Sequence, residues 1–226
     1  MKLAIMQPTF LPWIGYFAMI QDVDKFVILD NVQFSRRSWQ QRNQIMNNNI
    51  AKWMSVPVYK KGNYEEKIKN IKINYKQNYP QKILNQIYEG YKKTKYFSFF
   101  YEYLENILKK EFIFLCDLNS YFIKSISKEL SFKTEFIRSS EIEIAGSKDE
   151  LIFNICNQLN ASVYLSPQGS KNYLDDSKYF KNSKIVIQYH NYIHPTYNQI
   201  STNFVSHLSI IDLIFNEGFS EAKKII

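Results

Sequence analysis

The apolar positions of this chain change period three times. The first segment, Lys2–Met6, is a short continuous apolar run of the kind a buried strand makes. Pro8 and Pro12 bracket a turn, and the apolar run Trp13–Ile20 continues as a helix. Lys25–Leu29 reads as a second strand. Residues 30–48 are polar and irregular, and Lys52–Tyr59 returns to a rough period of two, with Pro57 suited to a sheet edge. The middle of the chain then shifts to helical spacing. One set is Ile83, Leu84, Ile87, Tyr88 and Tyr91; a second is Phe97, Phe100, Tyr101, Leu104, Ile107 and Leu108; a third is Leu115, Leu118, Phe122, Ile123, Ile126 and Leu130. The last third alternates again: a strand over Phe132–Ile137, a helix opened by Ser147 with Glu150 in capping-box spacing, and strands over Ala161–Leu165 and Lys184–Gln188. A final helix spans Leu208–Phe215, with Gly218 as its stop.

Strand–helix–strand order at both ends predicts an α/β fold with a mostly parallel, Rossmann-like open sheet. The helical middle, about residues 60–130, forms an insert or layer within a single domain spanning residues 1–226. That length suits one core that needs no disulfide or metal staple.

Composition narrows the function. The apolar fraction of 45% excludes a disordered chain. No apolar run approaches the ~20 residues that span a bilayer, and the N-terminal run is interrupted by Gln7-Pro8 before it reaches the length of a secretory signal. Cys116 and Cys156 form no metal-ligand or redox pattern, so two buried thiols in a cytoplasmic protein are expected. The formal charge of +8 is concentrated in residues 60–95, where ten lysines face only Glu65, Glu66 and Glu89. Tyr64, Tyr75 and Tyr79 are interleaved there, yet no helix-turn-helix, RRM or zinc-finger pattern accompanies them, and nucleic acid is not expected as a partner. An acidic protein or a phosphorylated small molecule uses the same electrostatics.

Four segments carry candidate chemistry. The first, Gln7–Phe17, follows the first strand, where open α/β sheets bind ligands; it offers Gln7, Pro8, Trp13 and Tyr16. The second follows the next strand and holds Asp30, Gln33, Arg36, Arg37, Trp39, Arg42 and Asn43. Three of the chain's four arginines lie in it, in a protein that otherwise prefers Lys, and the guanidinium fork is the geometric choice for phosphate or carboxylate. The third, Ser166–Tyr173, places Gln168, Gly169, Lys171 and Tyr173 after another strand, without the spacing of a phosphate-binding Walker loop. The fourth contains His190 and His194, followed by Tyr197 and Gln199. A histidine there suits a base near neutral pH. No acidic or cysteine ligands accompany the histidines, so no metal site is expected.

Taken together, these segments resemble the WbqC-like family. The resemblance rests on Gln-Pro-Thr-Phe-Leu-Pro-Trp-Ile-Gly-Tyr-Phe at 7–17, on Asp-Asn-Val-Gln-Phe-Ser-Arg-Arg-Ser-Trp-Gln-Gln-Arg-Asn at 30–43, and on Val-Pro-Val at 56–58. It continues through Tyr-Leu-Ser-Pro-Gln-Gly-Ser-Lys-Asn-Tyr-Leu at 164–174, His-Pro-Thr-Tyr-Asn-Gln at 194–199 and Leu-Ser-Ile-Ile-Asp-Leu-Ile-Phe-Asn-Glu-Gly at 208–218. The Lys-rich middle matches least. The resemblance implies a cytoplasmic step in making bacterial O-antigen and related surface glycans. It further implies transfer of an N-acyl or aminoacyl group, such as glycyl, to a nucleotide-linked aminosugar. On that reading His194 is the base, Gln7, Tyr197 and Gln199 orient or donate, and Arg36, Arg37 and Arg42 hold a pyrophosphate. No tightly bound cofactor is expected. A phosphopantetheinyl carrier protein, typically acidic, fits as donor and would dock on the basic face. Two other classes stay open. One is a nucleotidyltransferase of the HxGH type, whose motif would fall on Trp13-Ile-Gly-Tyr16 but whose histidines are missing. The other is a non-catalytic sugar-nucleotide-binding accessory protein.

Overall fold

The computed structural model describes residues 1–59 and 65–226. Tyr64 and the first two lysines of the basic stretch lie outside the described residues. In chain order the strands are β1 Lys2–Met6, β2 Lys25–Ile28, β3 Arg42–Asn47, β4 Ile50–Ser55, β5 Glu135–Arg138, β6 Val163–Pro167 and β7 Val186–His190. The helices are α1 Ile14–Gln21, α2 Gln81–Tyr91, α3 Phe97–Leu108, α4 Leu115–Glu129, α5 Lys148–Gln158, α6 Lys171–Leu174, α7 Lys178–Lys181 and α8 Ile210–Ile225.

Five strands form one sheet in the order β5-β2-β1-β6-β7, and every pairing in it is parallel. This is the α/β, Rossmann-like arrangement that the strand–helix alternation predicts. Side chains alternate across the sheet with period two. Ala4, Phe26 and Ile28 face a large core shared with α1, α2, α3, α4 and α8. Leu3, Ile5, Val27 and Leu29 face a second, smaller core closed by α5, α6 and α7. From Ile14 to Ile20, α1 is buried on all sides, as its unbroken apolar sequence requires. Among the described residues no helix is long and apolar enough to cross a membrane.

The structure corrects several sequence expectations. The polar stretch before residue 48 is not wholly irregular, because β3 pairs with β4 in an antiparallel hairpin. Asn48 and Asn49 turn it, at φ 52° and 60°, the left-handed pair that a two-residue hairpin needs. β3 hides its strand character because its buried positions include the polar Asn43 and Asn47. β6 and β7 sit two residues later than their apolar runs suggest. Pairing with β1 starts at Lys2↔Val163, and the β6–β7 ladder continues to Pro167↔His190. The Ser147–Glu150 capping box does not form: Ser147 is the N-cap, but its hydroxyl makes no capping bond, and Lys148 enters the helix at φ 52°. Instead Asp149 and Glu150 supply negative charge to the first turn. Gly218 does break the last helix (φ 75°, ψ 172°), which then resumes to Ile225. A Cβ at Gly218 would lie 2.8 Å from the Tyr96 ring, so both backbone and packing require glycine there.

Candidate functional site

The order of strands places β1 between β2 and β6. The chain leaves β1 toward β2 on one side, and β6 joins on the other. Such a reversal opens a crevice at the carboxyl ends of the strands, where sheets of this type hold ligands. Three adjoining cavities of about 240, 300 and 310 Å³ lie there, and Met6, the last residue of β1, lines all of them. Trp13 and Tyr16 line two of the three, and Trp39 also lines two. Gln7 and Tyr173 line the cavity beside β6; Gln168 and Gly169 line the one beside β7; Asn43 lines the third.

The first loop shapes this crevice. Trp13 is the N-cap of α1, and its ring lies back over Gly15, where a Cβ would come within 2.2 Å of it. The ring is thereby held between two of the cavities. Buried Tyr16 donates its hydroxyl to the Gln7 carbonyl at 3.1 Å. Burial holds its pKa well above the usual range, so the phenol stays a donor. Gln7 Oε1 accepts from Gln40 Nε2 at 2.7 Å, which fixes the Gln7 side chain and leaves its amide N–H groups for donation. Neither Trp13 nor Tyr16 offers a ring nitrogen that could accept a proton, so the first loop holds no histidine-type base. Pro8 is buried, and its carbonyl accepts from Asn119 Nδ2 at 3.2 Å, a bond that ties the loop to α4. Asn43 pins the same loop by donating to the Phe10 and Leu11 carbonyls at 3.1 and 2.7 Å.

The arginine loop does not converge on the crevice. It has two faces: Ser38, Trp39 and Gln40 line the crevice, whereas Arg36, Arg37 and Gln41 line a separate cavity. Arg42 stacks over Trp53 at 4.1 Å, and Trp53 in turn lies 5.1 Å from Trp39. Gln33 pairs with Lys67 in an isolated backbone bridge. Asp30 is fully buried and committed to the protein. Its carboxylate accepts from Arg138 Nε at 2.7 Å, from the Ser140 hydroxyl and amide at 2.8 and 2.9 Å, and from the Ser139 hydroxyl at 3.1 Å. Burial pushes its pKa up, but the Ser140, Arg138 and Ser139 donors outweigh that and hold it below the ordinary carboxylate value. Arg138 also pairs with Asp117 at 2.7 Å, so the fourth arginine is the structural one. Beside this cluster the Cys116 thiol is buried and pushed up to about 12 by that burial; Cys156, on the other side of the sheet, is likewise raised to about 12.

The histidine stretch is also drawn into the fold. His194 Nδ1 donates to the Pro195 carbonyl at 2.8 Å, and His194 Nε2 accepts the backbone N–H of His207 at 3.1 Å. Both ring nitrogens are therefore occupied, and burial lowers the pKa, which keeps the ring neutral. Tyr197 and Gln199 converge on Asp212, a fully buried carboxylate in the first turn of α8. Tyr197 Oη donates to Oδ2 at 2.7 Å, Gln199 Nε2 to Oδ2 at 2.8 Å, and Tyr91 Oη to Oδ1 at 2.8 Å. None of His194, Tyr197 and Gln199 lines the three cavities. His207 does: a backbone bridge between Trp13 and Ser209 brings it against the first loop, its ring 5.0 Å from that of Trp13. His190, at the end of β7, lines the neighbouring cavity, and burial lowers its pKa.

The third segment divides. Gln168 and Gly169 face the crevice, and a Cβ at Gly169 would meet nothing within 4 Å. Tyr173 is half exposed on the opposite wall. Lys171 turns outward to Asp175 at 3.1 Å and over the Tyr189 ring at 4.5 Å. The crevice is thus aromatic walls with carboxamide and imidazole groups between them, and no carboxylate among the residues lining its cavities. Sequence reasoning missed His207 and Asp212. Asp212 in an apolar helix face was a readable signal; His207 had none, since only the Trp13–Ser209 bridge places it.

No solved structure matches the chain. It is similar to Uncharacterized protein Rv1507c of Mycobacterium tuberculosis, with 31% identity over 219 residues, 96% of this chain and 94% of that relative. The profile of the WbqC-like protein family covers residues 7–224, which takes in all four candidate segments. The chain belongs to the WbqC-like protein family.

Proposed function

We propose that this protein is a transferase of bacterial surface-glycan assembly that binds a nucleotide-linked aminosugar in the crevice between β1 and β6. The observation that carries the binding half is the convergence of Gln7, Trp13, Trp39, Gln168 and Tyr173 on three adjoining cavities at the strand ends. Aromatic faces suit a base or a sugar ring, and carboxamides suit hydroxyl groups. The transfer half draws on family membership. In it, the sugar amine attacks an acyl or aminoacyl thioester. A C–N bond forms, the C–S bond breaks, and the amine gives up one proton while the departing thiolate takes one.

The base assigned to this step is His207 rather than His194. His194 Nε2 already accepts the His207 N–H, whereas no hydrogen bond joins His207 Nε2 to a described residue. Gln7 Nε2 is placed as the donor to the developing oxyanion. Lining the cavities does not require Arg42, Lys171, Tyr197 or Gln199, which serve the surrounding fold. The test is incubation with a UDP-aminosugar and an aminoacyl thioester, read by mass spectrometry. N-acylated sugar nucleotide with the wild type and none with His207→Ala supports the reading.

One observation favours a second reading, a non-catalytic sugar-nucleotide-binding protein. Every polar group of the His194–Gln199 stretch named above bonds to the protein itself. Stabilisation by the sugar nucleotide without product from any thioester donor would select that reading.

A further inference from the structure

A second cavity, of about 360 Å³, lies across the arginine loop from the crevice and shares no lining residue with it. Arg36 and Arg37 line it from the loop, Lys82 from the first turn of α2, and Gln77 and Tyr79 from the segment before that helix. Among the described residues no carboxylate lines it. Among the described residues, neither Arg37 nor Lys82 has an ion-pair partner, and the first turn of α2 contains no acid. That helix is eleven residues long and presents the positive end of its dipole here.

The second observation is independent of charge. Tyr79 is 94% buried, at 6% relative exposure, yet its hydroxyl has no hydrogen-bond partner among the described residues. Buried hydroxyls are ordinarily satisfied. Burial also holds its pKa well above the usual range, so the phenol stays protonated and is able to donate. Arg37 adopts left-handed backbone, φ 54°, and its N–H is tied to Gln41 Oε1 at 3.3 Å. The loop thus holds a non-glycine residue in an unusual conformation whose side chain reaches this cavity.

We propose that the cavity bounded by Arg36, Arg37, Gln77, Tyr79 and Lys82 is a phosphate-binding site, distinct from the strand-end crevice. Its ligand is a phosphate or pyrophosphate group, either free or carried by a nucleoside diphosphate. The proposal does not rest on transfer in the crevice, because none of these residues lines the crevice.

The experiment is calorimetric titration of the full chain with inorganic pyrophosphate and, separately, with UDP. The key variant is Arg37→Gly with Lys82→Ala, since glycine keeps the left-handed backbone without strain. Tyr79→Phe removes the hydroxyl alone. Lys124→Ala with Lys128→Ala is a control of equal charge change on α4. Expected are pyrophosphate binding by the wild type, a loss of tenfold or more in the first variant, a several-fold loss in Tyr79→Phe, and no change in the control. UDP losing affinity in the first variant would identify a nucleoside diphosphate as the source; UDP unaffected would identify a free phosphate. Absence of pyrophosphate binding by the wild type, or equal loss in the control variant, overturns the proposal.

Discussion

His194 accepts the backbone N–H of His207 at 3.1 Å through the nitrogen that a catalytic base would have to keep open. The consequence is a division of labour between two histidines. His194 holds the 194–207 segment, and His207 faces the crevice. Replacing His194 by alanine removes that bond and its stack on Trp13 at 6.1 Å. The expected cost is about 1 kcal/mol for the hydrogen bond, plus lost packing, read as a lowered Tm. His207→Ala is expected to leave Tm close to the wild type while abolishing turnover.

Stability should depend on pH through the same ring. Burial holds His194 and His190 below their ordinary value of 6.5. The unfolded chain therefore takes up protons near pH 6.5 that the folded chain still refuses, and stability falls as pH drops below about 6.5 toward the folded values. Above that the stability is fully present. Urea titrations between pH 7.5 and 5, as a chosen range of roughly one unit either side of the ordinary value, should show this slope, and His194→Ala should flatten it in part. An unchanged slope would mean that His194 does not contribute.

The ion pair of Asp30 and Arg138 lies between the ends of β2 and β5. Asp30 is fully buried and Arg138 is 21% exposed, so the pair is well shielded from solvent. Arg138→Ala leaves a buried carboxylate without its cation and is expected to cost about 3–5 kcal/mol. Arg138→Lys should recover only part, because one ammonium cannot reach both Asp30 and Asp117 as the guanidinium fork does. Asp30 is held below its ordinary pKa, so this stability is present above about pH 4 and is lost as pH falls through the folded value. Chemical denaturation of both variants at pH 7 and near pH 3 measures it.

Tyr197 and Gln199 are expected to behave as supports of Asp212. Tyr197→Phe removes one of three donors from a fully buried carboxylate and should destabilise by about 1–2 kcal/mol. Turnover per folded molecule should survive. A variant with unchanged Tm and lost turnover would instead put Tyr197 in the chemistry.

The sheet was legible in the sequence because buried parallel strands are short apolar runs, and β1 and β2 lie within a residue of their predicted bounds. The hairpin was not, because β3 buries Asn43 and Asn47 through hydrogen bonds to neighbouring segments, a pattern that polarity alone reads as loop. The Asn48-Asn49 pair was the available signal. At the site, Gln7, Trp13, Tyr16, Trp39 and Gly169 were legible from their place after strands. Which side of the loop Arg36 and Trp39 face was not, since neighbouring loop residues can point either way until tertiary contacts decide. The roles of His194 and Asp30 were hidden for a related reason: their partners, His207 and Arg138, are distant in sequence and are brought to them by the fold alone.

A sugar nucleotide held in the strand-end crevice would lie against Gly169. A Cβ there meets nothing within 4 Å, so Gly169→Phe should fold normally while its ring fills the cavity. All three tryptophans lie in or beside the crevice, so a UDP-aminosugar titration can be followed by intrinsic fluorescence. Expected are saturable quenching in the wild type and at least tenfold weaker binding in Gly169→Phe at unchanged Tm. Equal affinity in the two proteins would contradict binding in the crevice.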